Sequence, residues 1–404
     1  MAKLLVYQMW PLAWDNLRQM ASHVINLQKL GVDAVWLSPI YVSPMADHGY
    51  DVADYYNVDQ RFGTLTDFDR FVHTAHNRGI KVIMDLVLNH TSTEHSWFAR
   101  YPENYCWSKD DRPGWRNFFD NGSAWEAGRY GYYLHSFHKK QADLRWFFPD
   151  GQINAWLVRM FQDVVKFWLS HGVDGFRLDA VQALNTDLDA KTMEFSDLLF
   201  GKNSLAVINA IFGSPVVTLK TSSGEKPLLM AEIFDPTFGE ATNLYADNTP
   251  VDYVMNMLLK DAIIDGIDAL RARIDKQTID PNFMLDLENH DSPRFTSRSH
   301  LAHPRVMELL FDSDAEAICL YQGQELGLKN PDKMYLPDAS MVHLDAQTRM
   351  RFERGESLDS LRPMSRANAR THYPTGTCKL QLNDPMSKFW QTHACIAEWK
   401  TKKT

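Results

Sequence analysis

Several short apolar runs in this chain end in polar residues that could do chemistry. DLVLNH closes on Asp85, Asn89 and His90; FRLD closes on Arg177 and Asp179; LLMAE closes on Glu232; LENHD closes on Glu288, His290 and Asp291. A further run is followed by His48, Tyr50 and Asp51. If these runs are strands of one sheet pointing the same way, three carboxylates, two imidazoles and a guanidinium meet at one mouth. A lone strand-end Asp is commonly only a cap or turn residue. Divalent metals could also accept such a set, but no close His-and-carboxylate ligand spacing is present, and neither a metal nor a cofactor is expected. Paired carboxylates with no thiol beside them suit glycoside hydrolysis, in which one attacks the anomeric carbon and the other protonates the leaving oxygen. Those tasks require two different pKa values. Arg177 lies two residues before Asp179, on the same strand face by alternation, and is expected to keep it ionised. Glu232 lies in the apolar run LLMAEIF, where desolvation is expected to raise its pKa.

The elements that must position these residues follow a repeating pattern: amphipathic helix, glycine, short apolar strand. Leu17, Met20, Ala21, Val24 and Leu27 share helical spacing before Gly31 and the run 34–37. Phe68, Phe71, Val72 and Ala75 precede Gly79 and 82–87; Trp156, Met160, Val164 and Phe167 precede Gly172 and 175–178. Glycine suits the helix C-terminus because positive φ costs it little. Further strands are expected at 4–8, 228–232, 252–257, 283–287 and 317–321, making eight, with helices near 191–212, 258–275, 304–315 and 386–399. Helices alternating with apolar strands mean a parallel sheet, and eight such units in 404 residues fit a (β/α)8 barrel, whose active site lies at the C-terminal strand ends. A doubly wound sheet is the alternative, but no glycine-rich phosphate fingerprint follows the first strand. The third spacing is longer than one repeat needs. Residues 90–148 are therefore expected to form a small irregular subdomain, with 1–89 and 149–404 forming the barrel. Sixteen of the sixty residues from 91 to 150 are Phe, Trp or Tyr, a composition that suits sugar stacking or simply a core.

Composition sets the outer bounds. The chain is 45% apolar and 23% charged, as in globular proteins, with a formal charge of −9. An acidic balance argues against a nucleic-acid partner. The four cysteines form no CxxC pair, no run approaches the roughly 20 apolar residues of a membrane helix, and the N-terminus has no signal-peptide pattern. A cytoplasmic location is expected. Oligomeric state is not legible.

These motifs resemble the α-amylase superfamily, glycoside hydrolase family 13. DLVLNH (85–90), GFRLDA (175–180), AE (231–232) and ENHD (288–291) match its four motifs in order. SPIYVSP (38–44), HGYDVADY (48–55), YLHSF (133–137) and SRANAR (365–370) resemble the oligo-1,6-glucosidase and α-glucosidase branch, which acts on short α-linked oligosaccharides. The resemblance implies Asp179 as nucleophile, Glu232 as general acid/base and Asp291 as the group that binds the 2- and 3-hydroxyls. It implies that His90 and His290 hydrogen-bond the same glucose, that Tyr50 stacks on it, and that Asp51 paired with Arg370 closes the pocket, which favours exo-cleavage. Ala180, following the nucleophile, stands where valine accompanies α-1,6 enzymes and alanine or threonine α-1,4 enzymes. It leans towards α-1,4 substrates or a broad range.

The chain departs from the family in three places. The loop WPLAWDN (10–16) lacks the Asp-rich calcium set of the relatives, no β-sandwich pattern follows 386, and Ala231 replaces a glycine. Two other readings remain on this scaffold: a transglycosylase or isomerase sharing the covalent intermediate, and a sugar-binding or scaffold protein without catalysis.

Overall fold

Each of the three helices read from the sequence hands the chain to a buried strand through a glycine. Leu17–Leu30 is followed by Gly31 at φ 86°, Leu65–His76 by Gly79 at 71°, and Ala155–Ser170 by Gly172 at 86°. Their N-termini are closed by side chains. Asn16 accepts from the Gln19 N–H, Asn154 accepts from those of Trp156 and Leu157, and Thr64 with Asp67 forms a capping box. The structure, a computed structural model, describes residues 3–118, 122–190, 192, 198, 201–213, 218–233, 240–256, 266–299, 301–330 and 385–402.

In chain order the strands are β1 (Leu4–Met9), β2 (Ala34–Leu37), β3 (Tyr41–Val42), β4 (Asp54–Val58), β5 (Lys81–Leu86), β6 (His90–Ser92), β7 (Trp107–Ser108), β8 (Trp125–Gly128), β9 (Gly131–Leu134), β10 (Gln141–Asp143), β11 (Gly175–Leu178), β12 (Leu228–Ile233), β13 (Tyr253–Asn256), β14 (Phe283–Asp286) and β15 (Ala317–Tyr321). Strands β1, β2, β5, β11, β12, β13, β14 and β15 close a parallel barrel in that order. All eight expected strands are present in this (β/α)8 architecture. Helices also occur at Lys202–Phe212, Ile267–Gln277, His303–Asp312 and Pro385–Thr401, within or overlapping the four expected ranges. The helix Glu240–Asn248 was not foreseen, because its polar sequence carries only a weak apolar stripe. Among the described residues, no helix is long and apolar enough to cross a membrane.

Strand alternation divides the core in two. Val6, Trp36, Ile83, Met230, Met255, Met284 and Cys319 pack together inside the barrel, whereas Leu5, Leu37, Val82, Phe176, Leu229, Val254, Leu285 and Ile318 pack outward with the helices. The period of two then puts Gln8 in phase with Val6, Asp85 with Ile83 and Glu232 with Met230. Arg177 lies level with Asp85 on one neighbouring strand and Met230 on the other.

Between β5 and the helix Ala155–Ser170, the aromatic-rich stretch is more regular than its sequence suggests. Strand β6 pairs antiparallel with β10, and β7, β9 and β8 form a three-stranded antiparallel sheet. Strands of two to four residues are too short for their alternation to be recognised. A separate apolar cluster of Cys106, Trp115, Ala124, Trp125 and Leu134 holds this part together. The helix Pro385–Thr401 packs against the barrel's outer layer through Ile396 and Trp399, and Lys400 pairs with Asp33 at 2.6 Å.

Gly175 opens β11 two residues before Arg177. A Cβ there would meet the Leu228 carbonyl oxygen at 2.3 Å and the Leu228 Cβ at 2.9 Å. Gly175→Ala is expected to lower stability by about 1–3 kcal/mol through the forced shift of β11 from β12. The check is the urea midpoint, and an unchanged value would mean that the two strands separate there at no cost.

Candidate active site

Asp85 and Arg177 lie level on β5 and β11, and Asp179 and Glu232 stand together two residues further along β11 and β12. The Arg177 guanidinium is 1% exposed. Its Nη1 donates to Asp85 Oδ1 at 2.6 Å and to Asp179 Oδ1 at 2.5 Å, and its Nη2 pairs with Glu232 Oε2 at 2.5 Å. Asp85 Oδ2 accepts from Trp36 Nε1 at 3.1 Å and from the Tyr50 hydroxyl at 3.0 Å. The guanidinium carbon lies 5.0 Å from the centre of a Trp36 ring, within cation–π range. Ala180 adopts a left-handed conformation, φ 39° and ψ 48°, and its N–H donates to Glu232 Oε2 at 3.1 Å. The residue after Asp179 thus touches Glu232.

His290 joins a second group to this cluster. Its Nε2 lies 2.8 Å from the Tyr50 hydroxyl and 2.9 Å from Asp291 Oδ2, and its Nδ1 lies 2.8 Å from Gln8 Nε2. Its ring stacks on that of Tyr50 at 5.3 Å and 6°. Exposure is graded: the Asp85 and His290 side chains have none, those of Asp179 and Glu232 are 11% exposed, and Asp291 is 25% exposed. The three carboxylates expected to meet a sugar are the ones that reach solvent.

Asp51 and His90 lie in the adjoining wall. Asp51 accepts from the Ser43 hydroxyl at 3.0 Å and from the Ala46 and Asp47 N–H groups at 2.8 and 2.9 Å. His90 contacts Gln141 Nε2 at 3.0 Å, and that amide also reaches Asp47 Oδ2 at 3.1 Å. Arg370 lies outside the described residues. Among the described residues, no group of three or more His, Cys, Asp or Glu side chains is placed to hold a metal ion.

The charges depart from the sequence reading. Arg177 was expected to keep Asp179 ionised, but it is shared by three carboxylates. Burial pushes Asp179 well above the usual carboxylate range, with Arg177 opposing and the Glu232 and Asp85 charges reinforcing the rise. Burial also raises Asp85. Glu232 is not isolated in apolar surroundings, because Nη2 of Arg177 meets it. The environment therefore raises the Asp179 carboxyl rather than lowering it, against the expectation that Arg177 tunes it down. Burial brings His90 down to about 4, so its ring is neutral at neutral pH.

Sequence reasoning left Gln8, Trp36 and Gln141 off the candidate set. Gln8 and Trp36 fall inside apolar runs and read as strand filler. Their phase with the barrel interior was the available signal. Asp85 was noted at its strand end, but its partnership with Arg177 becomes visible only from the register of β5 and β11.

The alpha-amylase catalytic-domain model matches residues 13–384. The chain belongs to the alpha-amylase family of glycoside hydrolases. It is 29% identical to an oligo-1,6-glucosidase of Heyndrickxia coagulans, over 96% of this chain and 80% of that protein. It is 30% identical to a glucan 1,6-alpha-glucosidase of Streptococcus pneumoniae, over 91% of this chain and 74% of the relative. Over 45% of this chain and 36% of the relative it is 43% identical to the trehalose-6-phosphate hydrolase of Escherichia coli. The solved structure of Bacillus licheniformis trehalose-6-phosphate hydrolase superposes with a TM-score of 0.80 at 26% identity, covering 99% of this chain and 84% of that one.

Two predictions come from this geometry. A β-branched residue is strained at the φ of Ala180, so Ala180→Val is expected to cost about 1–2 kcal/mol while Ala180→Gly costs little; equal midpoints in thermal or urea unfolding would overturn this. Asp143 on β10 accepts from the Ser136 hydroxyl and N–H, and burial pushes it up to about 7. The folded state then holds a proton that the unfolded state has lost between about pH 4 and 7, so this group's contribution to stability is full at low pH and falls as pH rises through that window. Asp143→Asn is expected to flatten that slope in urea titrations run across pH, and an unaltered slope would refute it.

Proposed function

We propose that the chain is a retaining, exo-acting α-glucosidase on short α-linked gluco-oligosaccharides. One observation carries the reading: Asp179 and Glu232 are gripped by two nitrogens of a single buried guanidinium. Such sharing suits the close carboxyl spacing, about 5–5.5 Å, of a retaining pair. Asp179 attacks the anomeric carbon and forms a glucosyl ester as the glycosidic C–O bond breaks. Glu232 gives its proton to the departing oxygen, then takes one from the water that cleaves the ester and frees Asp179. Asp291 binds the 2- and 3-hydroxyls, His90 and His290 bond the same ring, and Tyr50 packs on it.

The role of Asp51 with Arg370 at the non-reducing end rests on the family resemblance. Ala180 favours α-1,4 linkages, whereas the named relatives include α-1,6 enzymes and trehalose-6-phosphate hydrolases. Residues 1–89 and 149–404 form the catalytic barrel in this reading, and 90–148 the subdomain that shapes its mouth. The cysteine pattern favours action in the cytoplasm.

The purified protein is expected to release glucose, initially as the α-anomer, from at least one of p-nitrophenyl α-glucoside, maltose, isomaltose and trehalose 6-phosphate. No glucose from any of them would overturn the proposal, and new disaccharides at high sugar concentration would favour group transfer over hydrolysis. Asp179→Ala is expected to lose turnover while keeping its unfolding midpoint. Glu232→Gln is expected to slow poor leaving groups about 10²–10⁴-fold and p-nitrophenolate much less, because it removes the proton donor. Equal losses on both would argue against that role.

A further inference from the structure

Gln8 is wholly buried at the end of β1, in phase with the barrel interior, and no step described so far uses it. Its amide nitrogen lies 2.8 Å from His290 Nδ1 and 3.1 Å from Ser38 Oγ. Its amide oxygen meets no hydrogen-bond donor among the described residues. We propose that Gln8 is a positioning residue that fixes the tautomer of His290, by donating to Nδ1 so that the ring proton stays on Nε2. The inference rests on His290 being a ligand of the sugar.

The opposite side of the ring supports this independently. Nε2 faces the Tyr50 hydroxyl oxygen and the Asp291 carboxylate. The Tyr50 hydroxyl spends its own hydrogen on Asp85 Oδ2. Both neighbours of Nε2 are therefore acceptors, and a hydrogen on Nε2 makes both contacts favourable. A neutral ring with hydrogen on Nε2 must present a bare Nδ1, which needs a donor. Within this buried site the Gln8 amide supplies one. Its two hydrogens are divided between Ser38 Oγ and Nδ1, which holds both the amide plane and the imidazole plane.

The consequence is a directed line of hydrogen bonds from Gln8 through His290 to Asp291, with Tyr50 and Asp85 as a branch ending on Arg177. A His290 ring with the wrong tautomer would turn a lone pair towards Asp291 and the Tyr50 oxygen. It would repel both and shift the carboxylate that reaches the sugar. An amide reversed at Gln8 would put its oxygen against Nδ1 and require hydrogen there, which is the competing arrangement.

The test is nitrogen NMR of the full chain labelled with ¹⁵N-histidine, with His290 assigned by loss of its signals in His290→Asn. In the wild type His290 is expected to show an unprotonated Nδ1 and a protonated Nε2. A protonated Nδ1 would overturn the proposal, whether or not the enzyme turns over any glucoside. Gln8→Glu offers only acceptors when ionised and is expected to move the hydrogen to Nδ1, with kcat falling about tenfold or more. Gln8→Leu removes both donor and acceptor and is expected to lower kcat without the reversal. If the tautomer in a folded Gln8→Glu variant is unchanged, Gln8 does not set it. If Gln8→Glu fails to fold, the wild-type spectrum and Gln8→Leu still decide. A fall in stability alone, with the His290 nitrogens as in the wild type in both variants, would reduce Gln8 to a packing residue.

Discussion

The site depends on a single cation placed where water cannot reach it. Arg177 is buried among three carboxylates, and its charge is what lets Asp85, Asp179 and Glu232 approach each other. Removing one member of a buried ion pair leaves an uncompensated charge and costs about 3–5 kcal/mol. Here the loss would be distributed over three acids at once. Burial raises both Asp85 and Asp179 by desolvating their charged forms, and Arg177 opposes that rise. The interaction that holds the strand ends together therefore also holds the carboxylates that the proposed chemistry uses.

Around this cation the barrel is organised by depth. Asp85, with its donors Trp36 and Tyr50, forms the floor, and Asp179, Glu232 and Asp291 form the rim. Trp36 contributes in two ways: its N–H bonds Asp85 and its ring face lies towards the guanidinium. Tyr50 links floor and wall by bonding Asp85 and stacking on His290. Asp85 and Trp36 stand on strands β5 and β2, and the hydrogen bonds of Asp85 with Trp36 and Tyr50 hold this layer's side chains in set orientations before a sugar enters. Such preorganisation is the main means by which a rigid barrel assists charge development.

The fold was legible because its punctuation is local. Gly31, Gly79 and Gly172 each follow a helix whose apolar face repeats at 3.6 residues, and each precedes an apolar run, so helix, turn and strand are written within about thirty residues. The rim was legible for a similar reason, since Asp179, Glu232 and Asp291 are charged residues ending apolar runs. The floor was not. Trp36 and Gln8 have side chains that suit a strand interior, and only the closed barrel shows which face they occupy. The sharing of Arg177 also escaped, because its carboxylates come from strands far apart in sequence, and a two-residue spacing pointed to Asp179 alone. The short strands β7, β8 and β9 escaped because two to four residues cannot display a period.

The inserted segment shows how such a barrel acquires a wall. Strand β10 returns antiparallel to β6, and its Gln141 bridges His90, the first residue of β6, and Asp47 in the loop after β3. Asp143, on the same face by alternation, is held by Ser136 from the turn before it. The His90 ring is neutral, so Gln141 can orient it without creating a second buried cation. The contact between Gln141 and His90 thus adds no positive charge to that of Arg177 at the floor. In the proposed reaction the sugar is itself neutral and is recognised through its hydroxyls, so a neutral group such as the His90 ring can bind it without disturbing the charge shared between Arg177 and its carboxylates.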